Sequence, residues 1–422
     1  MAGIRTANVL RHRDFRLLFI GQSASEIGSQ AVAVAIALYI TKRTGSATDL
    51  AIVLGAASLP FVMLVVFGGV WADRLPRHRL IIGSDLARAV LHTLLGILIL
   101  TGSPAIWLMA VIEALFGAAQ ALFQPAYSGL APQTVPEDEI QAAQALVGFS
   151  MNLATVFGPV LATALVLTLG AGPMFLIDAA SFLFGALVLL PVKPRVRTLV
   201  DQPPKSFVGE LRAGFREVRS RVWVWGTIIA YTGVVLFALV PWLSLGPLAV
   251  RQVYGDVGFY GVVVALWGGG SVAGSLLAAV WHPRYPLRLA LMFGVLWAML
   301  GLLVAVGVVQ AVLVVGSVVS GGAGALTGIW WETTLAHHIP PAALSRVSAW
   351  DHMGSFALMP LGYAVVGPLA NAFGVRWVLG VGSALGALMA ALALLPKSVR
   401  ALPAEPPVVT SLASGPAIGS AQ

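Results

Sequence analysis

The stretch Gly69-Val70-Trp71-Ala72-Asp73-Arg74-Leu75-Pro76-Arg77-His78-Arg79 decides how the rest of the chain is read. It closes a run, residues 50–72, that carries no Asp, Glu, Lys or Arg. About 20 apolar residues in helical form cross the roughly 30 Å hydrocarbon core of a bilayer. The run therefore has the length of a membrane crossing, and the motif is the charged turn that follows it. Gly69, near the end of the crossing, permits close approach of a neighbouring backbone. Asp73 can accept hydrogen bonds from the amino terminus of an adjacent helix. Arg74, Arg77 and Arg79 can keep their charges in the interface. A loop that only fixed orientation would need the arginines alone; an acid followed by spaced arginines is more pattern than orientation requires.

The same kind of run recurs along the chain. Residues 222–250 and 289–331 carry no charged side chain, and 140–192 carry one acid, Asp178. The two longer runs must each fold back as a helix pair, and turn residues sit where that requires: Gly170-Ala171-Gly172-Pro173 in one, Gly307 to Gln310 in the other. With 58% hydrophobic and 10% charged residues and a mean hydropathy of +0.90, the chain has too little polar surface to coat a soluble globule. Spans are expected near 15–41, 50–71, 80–101, 104–126, 141–169, 173–191, 223–250, 258–281, 288–308, 311–331, 346–373 and 376–396. The expected fold is all-α, a polytopic membrane protein of about 12 transmembrane helices.

The net charge of +8 reads as topology and not as a nucleic-acid surface. Placing the amino terminus in the cytoplasm puts 20 of the 25 lysines and arginines on that side. Only Lys42, Arg43, Arg251 and Arg376 fall outside, and Arg88 lies within a helix. Both termini are expected in the cytoplasm of a bacterial inner membrane. The first apolar segment, which contains Glu26, reads as a retained helix and not as a signal peptide. Cysteine is absent, so there are no disulfides and no thiolate metal sites.

Two halves share one pattern. A shift of 204 residues lays Gly117 on Gly321, Pro136 on Pro340, Gly158 on Gly362 and Gly170 on Gly374. A shift of 210 lays Val70-Trp71 on Val280-Trp281, Arg74 on Arg284 and Pro76 on Pro286. Duplication of a six-helix unit follows. The expected units are a bundle at 1–191, a basic cytoplasmic loop at 192–222, a pseudo-symmetric bundle at 223–397 and a disordered tail at 398–422, which is rich in Ala, Pro, Gly and Ser.

With these residues in view, the chain resembles the major facilitator superfamily, whose loop signature is a glycine, an acid-arginine pair and a basic cluster. Gly69, Asp73, Arg74, Arg77 and Arg79 match it, and Pro76 replaces the usual second glycine. Residues 175–180 (FLIDAA) and 344–355 (LSRVSAWDHMGS) are similar to the bacterial exporter branch that includes enterobactin and macrolide effluxers. The resemblance implies alternating access, with the loop motif in gating. It also implies a bend in helix five at Gly158-Pro159, where drug-proton antiporters carry glycines around such a pair; here Ala162 and Thr163 replace the last two.

Acids inside the membrane are the candidates for function, because a carboxylate in lipid is costly unless paired or protonated. Glu26 lies about 16 Å along the first span at 1.5 Å per residue, and Glu113 is similarly deep in the fourth. Asp178 is shallower, and the second half offers fewer deep charges, Asp351 near the cytoplasmic third of the eleventh span and Glu332 at the end of the tenth. Glu26, Glu113, Asp178 and Asp351 are each read as a proton-coupling or substrate-binding group, against the plainer reading of a satisfied structural acid. Asp85, Arg88 and His92 share one face of the third span, and Asp85 with Arg88 reads as a structural charge pair. Trp223, Trp225, Trp281, Trp330, Trp331 and Trp377 read as interface anchors; Trp267 and Trp297 lie deeper and read as core or lipid packing, with stacking on a ligand as the alternative. His337-His338 has no spaced acid and is not a metal site.

No lysine of the four follows a glycine, so the chain lacks a phosphate-binding G-x-x-x-x-G-K-[ST] loop and is not its own ATPase. No nucleophile-base pair points to an enzyme, and no cofactor is implied. The expected activity is proton-coupled export of a drug-like compound or secondary metabolite. Uptake or facilitated diffusion by the same fold is the alternative, and a non-transporting sensor or scaffold is the reading of another class. The expected partners are a small organic substrate, a proton and the bilayer.

Overall fold

The structure, a computed structural model, describes residues 9–136, 139–193 and 207–404. Among the described residues, twelve helices are long and apolar enough to cross a membrane. In the first half they are α1 (Arg13–Arg43), α2 (Ala47–Arg74), α3 (Arg77–Thr101), α4 (Ile106–Leu130), α5 (Ile140–Thr168) and α6 (Ala171–Leu189). A surface helix, α7 (Phe207–Ser220), follows, where the sequence reading had a loop. The second half contains α8 (Val222–Tyr254), α9 (Gly258–Val280), α10 (Pro286–Val306) and α11 (Gln310–His338). It ends with α12 (Pro341–Phe356), α13 (Met359–Phe373), α14 (Val375–Leu392) and the short α15 (Lys397–Arg400). The eleventh span is thus α12 and α13 with a break at Ala357 and Leu358. Side chains such as Val90, Leu100, Leu276 and Val280 stand exposed around the bundle, an apolar belt for which lipid is the natural solvent.

The duplication is visible in the packing. Gly170 and Gly374 precede α6 and α14 with φ of 91° and 90°, a region that glycine enters without strain. At Gly117 a β-carbon would strike the carbonyl of Ala57, and at Gly321 it would strike that of Trp267. The first pair packs α4 on α2, and the second packs α11 on α9. Gly158 approaches Gln30 of α1, as Gly362 approaches Val240 of α8. These contacts recur in both halves, so the chain folds as two six-helix bundles of common design.

Two expectations are corrected. The chain does not lose order at 398: Val399 is fully buried beside Val218 and Leu287, and Ala404 N donates to Arg284 O at 3.0 Å. One buried valine and one main-chain bond suffice to pin this segment; residues 405–422 lie outside the described ones. Trp223, Trp330 and Trp331 are buried within the protein, whereas Trp225, Trp281 and Trp377 are exposed as anchors would be.

The halves meet at one end. Call the end that carries residue 9, α7 and α15 the terminal face, and the opposite end the far face. At the far face one apolar cluster joins Leu38, Leu50 and Ala162 of the first half to Leu248, Tyr260 and Val366 of the second. Arg251 Nη1 donates to Thr41 O at 2.9 Å, and Asn371 Nδ2 donates to Thr48 Oγ1 at 3.0 Å. Arg43 and Arg376 also donate to main-chain carbonyls there, those of Pro104 and Ala305. Toward the terminal face the clusters separate: Leu18, Ile81 and Leu189 belong to the first half, Val224, Leu287 and Val347 to the second. Among the described residues, the two bundles are sealed at the far face and parted at the other.

Candidate functional site

Between the bundles lies a cavity of about 240 Å³. Its second-half wall is aromatic, with Trp242, Tyr260, Trp267, Trp297 and Tyr363; the first half supplies Gln30, Val34, Thr155 and Pro159. Trp267 and Trp297, for which ligand stacking is the alternative to core or lipid packing, line this space. A turn of π-helix at Val235–Leu239 in α8 also borders it, as such turns often do at functional sites. A second space of about 490 Å³ shares Thr155, Trp267 and Trp297 and reaches Glu332. The arrangement suits a flat apolar molecule with a few polar atoms, because aromatic walls supply large contact area and only a few side chains can bond it.

The helix-five pair sits on this wall. Pro159 lines the cavity, and α5 runs as one helix from Ile140 to Thr168 through it. Thr163 Oγ1 donates to Pro159 O at 2.8 Å. Gly158 serves close packing, since a β-carbon there would lie 2.6 Å from Gln30 Cβ.

Separate from the cavity, the first bundle encloses a chain of charged groups. Asp85 and Arg88 form an ion pair. Gln22 Nε2 donates to Asp85 Oδ2 at 3.1 Å, and Arg88 Nη1 donates to Gln120 Oε1 at 2.6 Å. The guanidinium lies between the rings of Phe123 and Phe182, 4.1 and 4.2 Å from their centroids, so cation–π attraction replaces some of the lost water. One turn further along α3 is His92, stacked on Phe116 at 4.1 Å. His92 Nδ1 is 2.5 Å from Asp178 Oδ2, and His92 Nε2 is 3.6 Å from Glu113 Oε1. Asp85, Arg88, His92, Glu113 and Asp178 are all buried. The structure therefore brings together Asp85, Arg88, Glu113 and Asp178, with His92, which helical spacing places on the same face of α3 as Asp85 and Arg88 but to which the sequence assigns no role, joining Asp178 to Glu113.

Glu26 and Asp351 lie elsewhere. Glu26 is half-buried on α1 and accepts from Gln30 Nε2 at 3.0 Å; Gln30 in turn faces the cavity. Asp351 accepts from Trp331 Nε1 at 2.9 Å in the second half. In the loop motif, Arg77 Nη1 donates to Gly129 O at 2.7 Å, tying the α2–α3 turn to the end of α4, and Arg79 is exposed. The side chains at positions 69, 73 and 74, which include Asp73 and Arg74, lie outside the described ones. Among the described residues no three His, Asp or Glu are grouped to hold a metal ion.

Comparison with known proteins agrees with this architecture. The family described as transmembrane secretion effector matches residues 5–413. Macrolide efflux protein A of Streptococcus pyogenes is 24% identical over 380 residues, 86% of this chain and 91% of that protein. The multidrug efflux pump Tap of Mycolicibacterium fortuitum is 27% identical over 384 residues, 85% of this chain and 90% of Tap. The solved structure of a mutant of the nucleoside transporter NupG aligns with a TM-score of 0.74 at 14% identity, covering 90% of this chain and 99% of that one, a likeness of fold. Twelve spans in two related bundles, a cavity between them and a family match along nearly the whole length place the chain in the transmembrane secretion effector family of major facilitator transporters.

Proposed function

We propose that this transporter exports a small, largely apolar organic compound, driven by a proton gradient. The observation that carries the reading is the aromatic cavity between two bundles that are sealed at the far face and parted at the terminal face. A compound enters from the terminal side, stacks on Trp267 and Trp297, and is released when the far seam opens and the terminal ends close. The efflux names of the two relatives support the outward direction. The motif residues Gly69, Asp73, Arg74, Arg77 and Arg79 act in closing the terminal face, and Arg77 already ties their turn to α4. Coupling belongs to the first half, because Glu26 adjoins the cavity through Gln30 while Glu113 and Asp178 lie behind it. Uptake by the same fold is the competing reading.

The test uses protein reconstituted in vesicles with an imposed pH gradient and radiolabelled macrolides as probes. Gradient-driven accumulation that an uncoupler abolishes is expected. Trp297→Ala is expected to raise the half-saturating concentration about tenfold, the loss of one aromatic stacking contact of about 1.4 kcal/mol. Substrate movement indifferent to the gradient would remove the coupled reading, and an unchanged affinity in Trp297→Ala would remove the cavity.

Orientation is a second part of the proposal. The terminal face is cytoplasmic in a bacterial inner membrane, on the arginine distribution. Reporters fused after Pro203 or after Gln422 are expected to signal from the cytoplasm; an outside signal from either would reverse the assignment.

A further inference from the structure

We propose that the coupling proton is held between His92 Nε2 and Glu113 Oε1, at a site inside the first bundle that the substrate does not enter. The proposal rests on the proton-driven reading above and assigns its ion site.

The geometry has a stoichiometry. His92 Nδ1 and Asp178 Oδ2 are 2.5 Å apart, which requires a proton between them, and an ionised carboxylate can only accept. With that proton on Nδ1, a neutral ring presents a lone pair at Nε2. Nε2 faces Glu113 Oε1 at 3.6 Å, and neither atom has any other partner or contact with solvent. If Glu113 is ionised and the ring neutral, two acceptors confront each other across a dry gap. One proton turns this into a bond, with either Nε2–H donating to the carboxylate or Oε1–H donating to the ring. The contact is attractive with one proton and repulsive with none.

Around this pair the other buried carboxylate oxygen without a partner is Asp178 Oδ1, which abuts Gly28 of α1 and faces no second lone pair that a proton would bridge. From α3 itself, Asp85 and Arg88 face the site but are already closed on each other, on Gln22 and on Gln120. From α4 comes Glu113, from α6 Asp178, and from α1 only Glu26, whose charge acts on Arg88. Phe116, Phe175 and Phe182 cover the remaining sides of the ring.

The link to the cavity is α1. A β-carbon at Gly28 would collide with Asp178 Oδ1, so α1 rests directly on the carboxylate that His92 holds. Ser25 Oγ donates to Ser181 O at 3.0 Å along the same seam. On its other side α1 supplies Gln30, Ala33, Val34 and Ala37 to the cavity wall. Loss of the proton drives His92 from Glu113, His92 carries Asp178 with it, and Asp178 bears on Gly28. Proton and substrate are thereby read by opposite faces of one helix, with no shared atom.

The experiment needs no substrate. The chain has no cysteine, so Ser128→Cys and Ser398→Cys, exposed positions near the terminal face in opposite halves, place two spin labels on the full-length protein in nanodiscs. Distance distributions are recorded between about pH 5 and pH 8, where histidine chemistry operates. The ratio of parted to closed populations is expected to change at least tenfold, within the limit of tenfold per pH unit for one linked proton. In Glu113→Gln the side-chain amide donates permanently to Nε2. The distribution is expected to match that of the unsubstituted protein at low pH, with less than a twofold change across the range. A Glu113→Gln protein that keeps the full pH response overturns the proposal. If that variant does not fold, 15N-histidine spectra of the unsubstituted protein decide: a solvent-protected Nε2 signal must move over the same range, and its constancy overturns the proposal. The vesicle assay separates the two ideas. Gradient-driven export together with a pH-responsive Glu113→Gln sinks the site alone, while gradient-independent transport with a silent Glu113→Gln sinks the proton-driven reading and leaves the pair as a pH-responsive site that carries no coupling proton.

Discussion

Arg88→Met is expected to leave little folded protein, with a melting temperature many degrees below that of the unsubstituted chain. The guanidinium is buried, pairs with Asp85, donates to Gln120 and is held between two phenylalanine rings. Methionine fills most of the volume but leaves Asp85 as a buried charge with Gln22 as its remaining side-chain donor. Breaking one side of such a pair costs about 3–5 kcal/mol. Removing both charges, with Asp85→Asn added, is expected to recover most of the loss, because a well-packed neutral pair replaces an uncompensated ion. Thermal unfolding of the detergent-solubilised protein, read by loss of the monodisperse species, measures this. A single variant as stable as the parent would mean that Arg88 is dispensable to the bundle.

Gly117→Val and Gly321→Val are the second pair with large effects. In each case the new β-carbon meets a backbone carbonyl, of Ala57 or of Trp267, and a carbonyl cannot swing aside as a side chain can. Overpacking of a core costs about 1–3 kcal/mol where neighbours can yield, so this sum is a lower bound. Yield of folded protein is expected to fall severalfold in both. The second half should be the more sensitive. Its α9 also presses Gly270 and Gly274 onto the carbonyls of Val318 and Gly322, a small-residue seam of the kind that draws membrane helices together. The matching positions of α2, at a shift of 210, are Pro60 and Leu64. Normal yield from Gly321→Val would contradict the packing described.

The glycines also explain what was legible in advance. A duplicated close contact needs the same small residue twice, so Gly117 and Gly321, or Gly170 and Gly374, write the symmetry directly into the sequence. Uncharged runs likewise announce the spans, because lipid tolerates no alternative. The charged cluster was legible only in part. Asp85, Arg88 and His92 fall on one face of α3 by helical spacing, yet which helices face them is a tertiary fact. Glu113 and Asp178 reach His92 from α4 and α6, at sequence separations of 21 and 86, and no local pattern encodes that meeting. Depth alone ranked Glu26 with Glu113. The structure separates them, placing one beside the cavity and the other deep in the bundle. Val399 illustrates the opposite error, a single apolar residue in a Pro- and Ala-rich tail that found a pocket composition could not foresee.

The bundles divide their chemistry unevenly: buried charge gathers in the first and indole rings in the second, which holds ten of the twelve tryptophans. Native emission from this protein is accordingly a report on one half of the machine. Three of those ten, Trp242, Trp267 and Trp297, form the cavity wall, so an occupant that quenches or shields them announces itself optically without any dye. The His92 site has no indole of its own, because the first half offers only Trp71 and Trp107, both exposed near the ends of their helices, so its protonation shows in emission only through what it does to the cavity. Light and proton counts can therefore be followed in the same cuvette, one reporting the cavity end of the linkage and the other the His92 end.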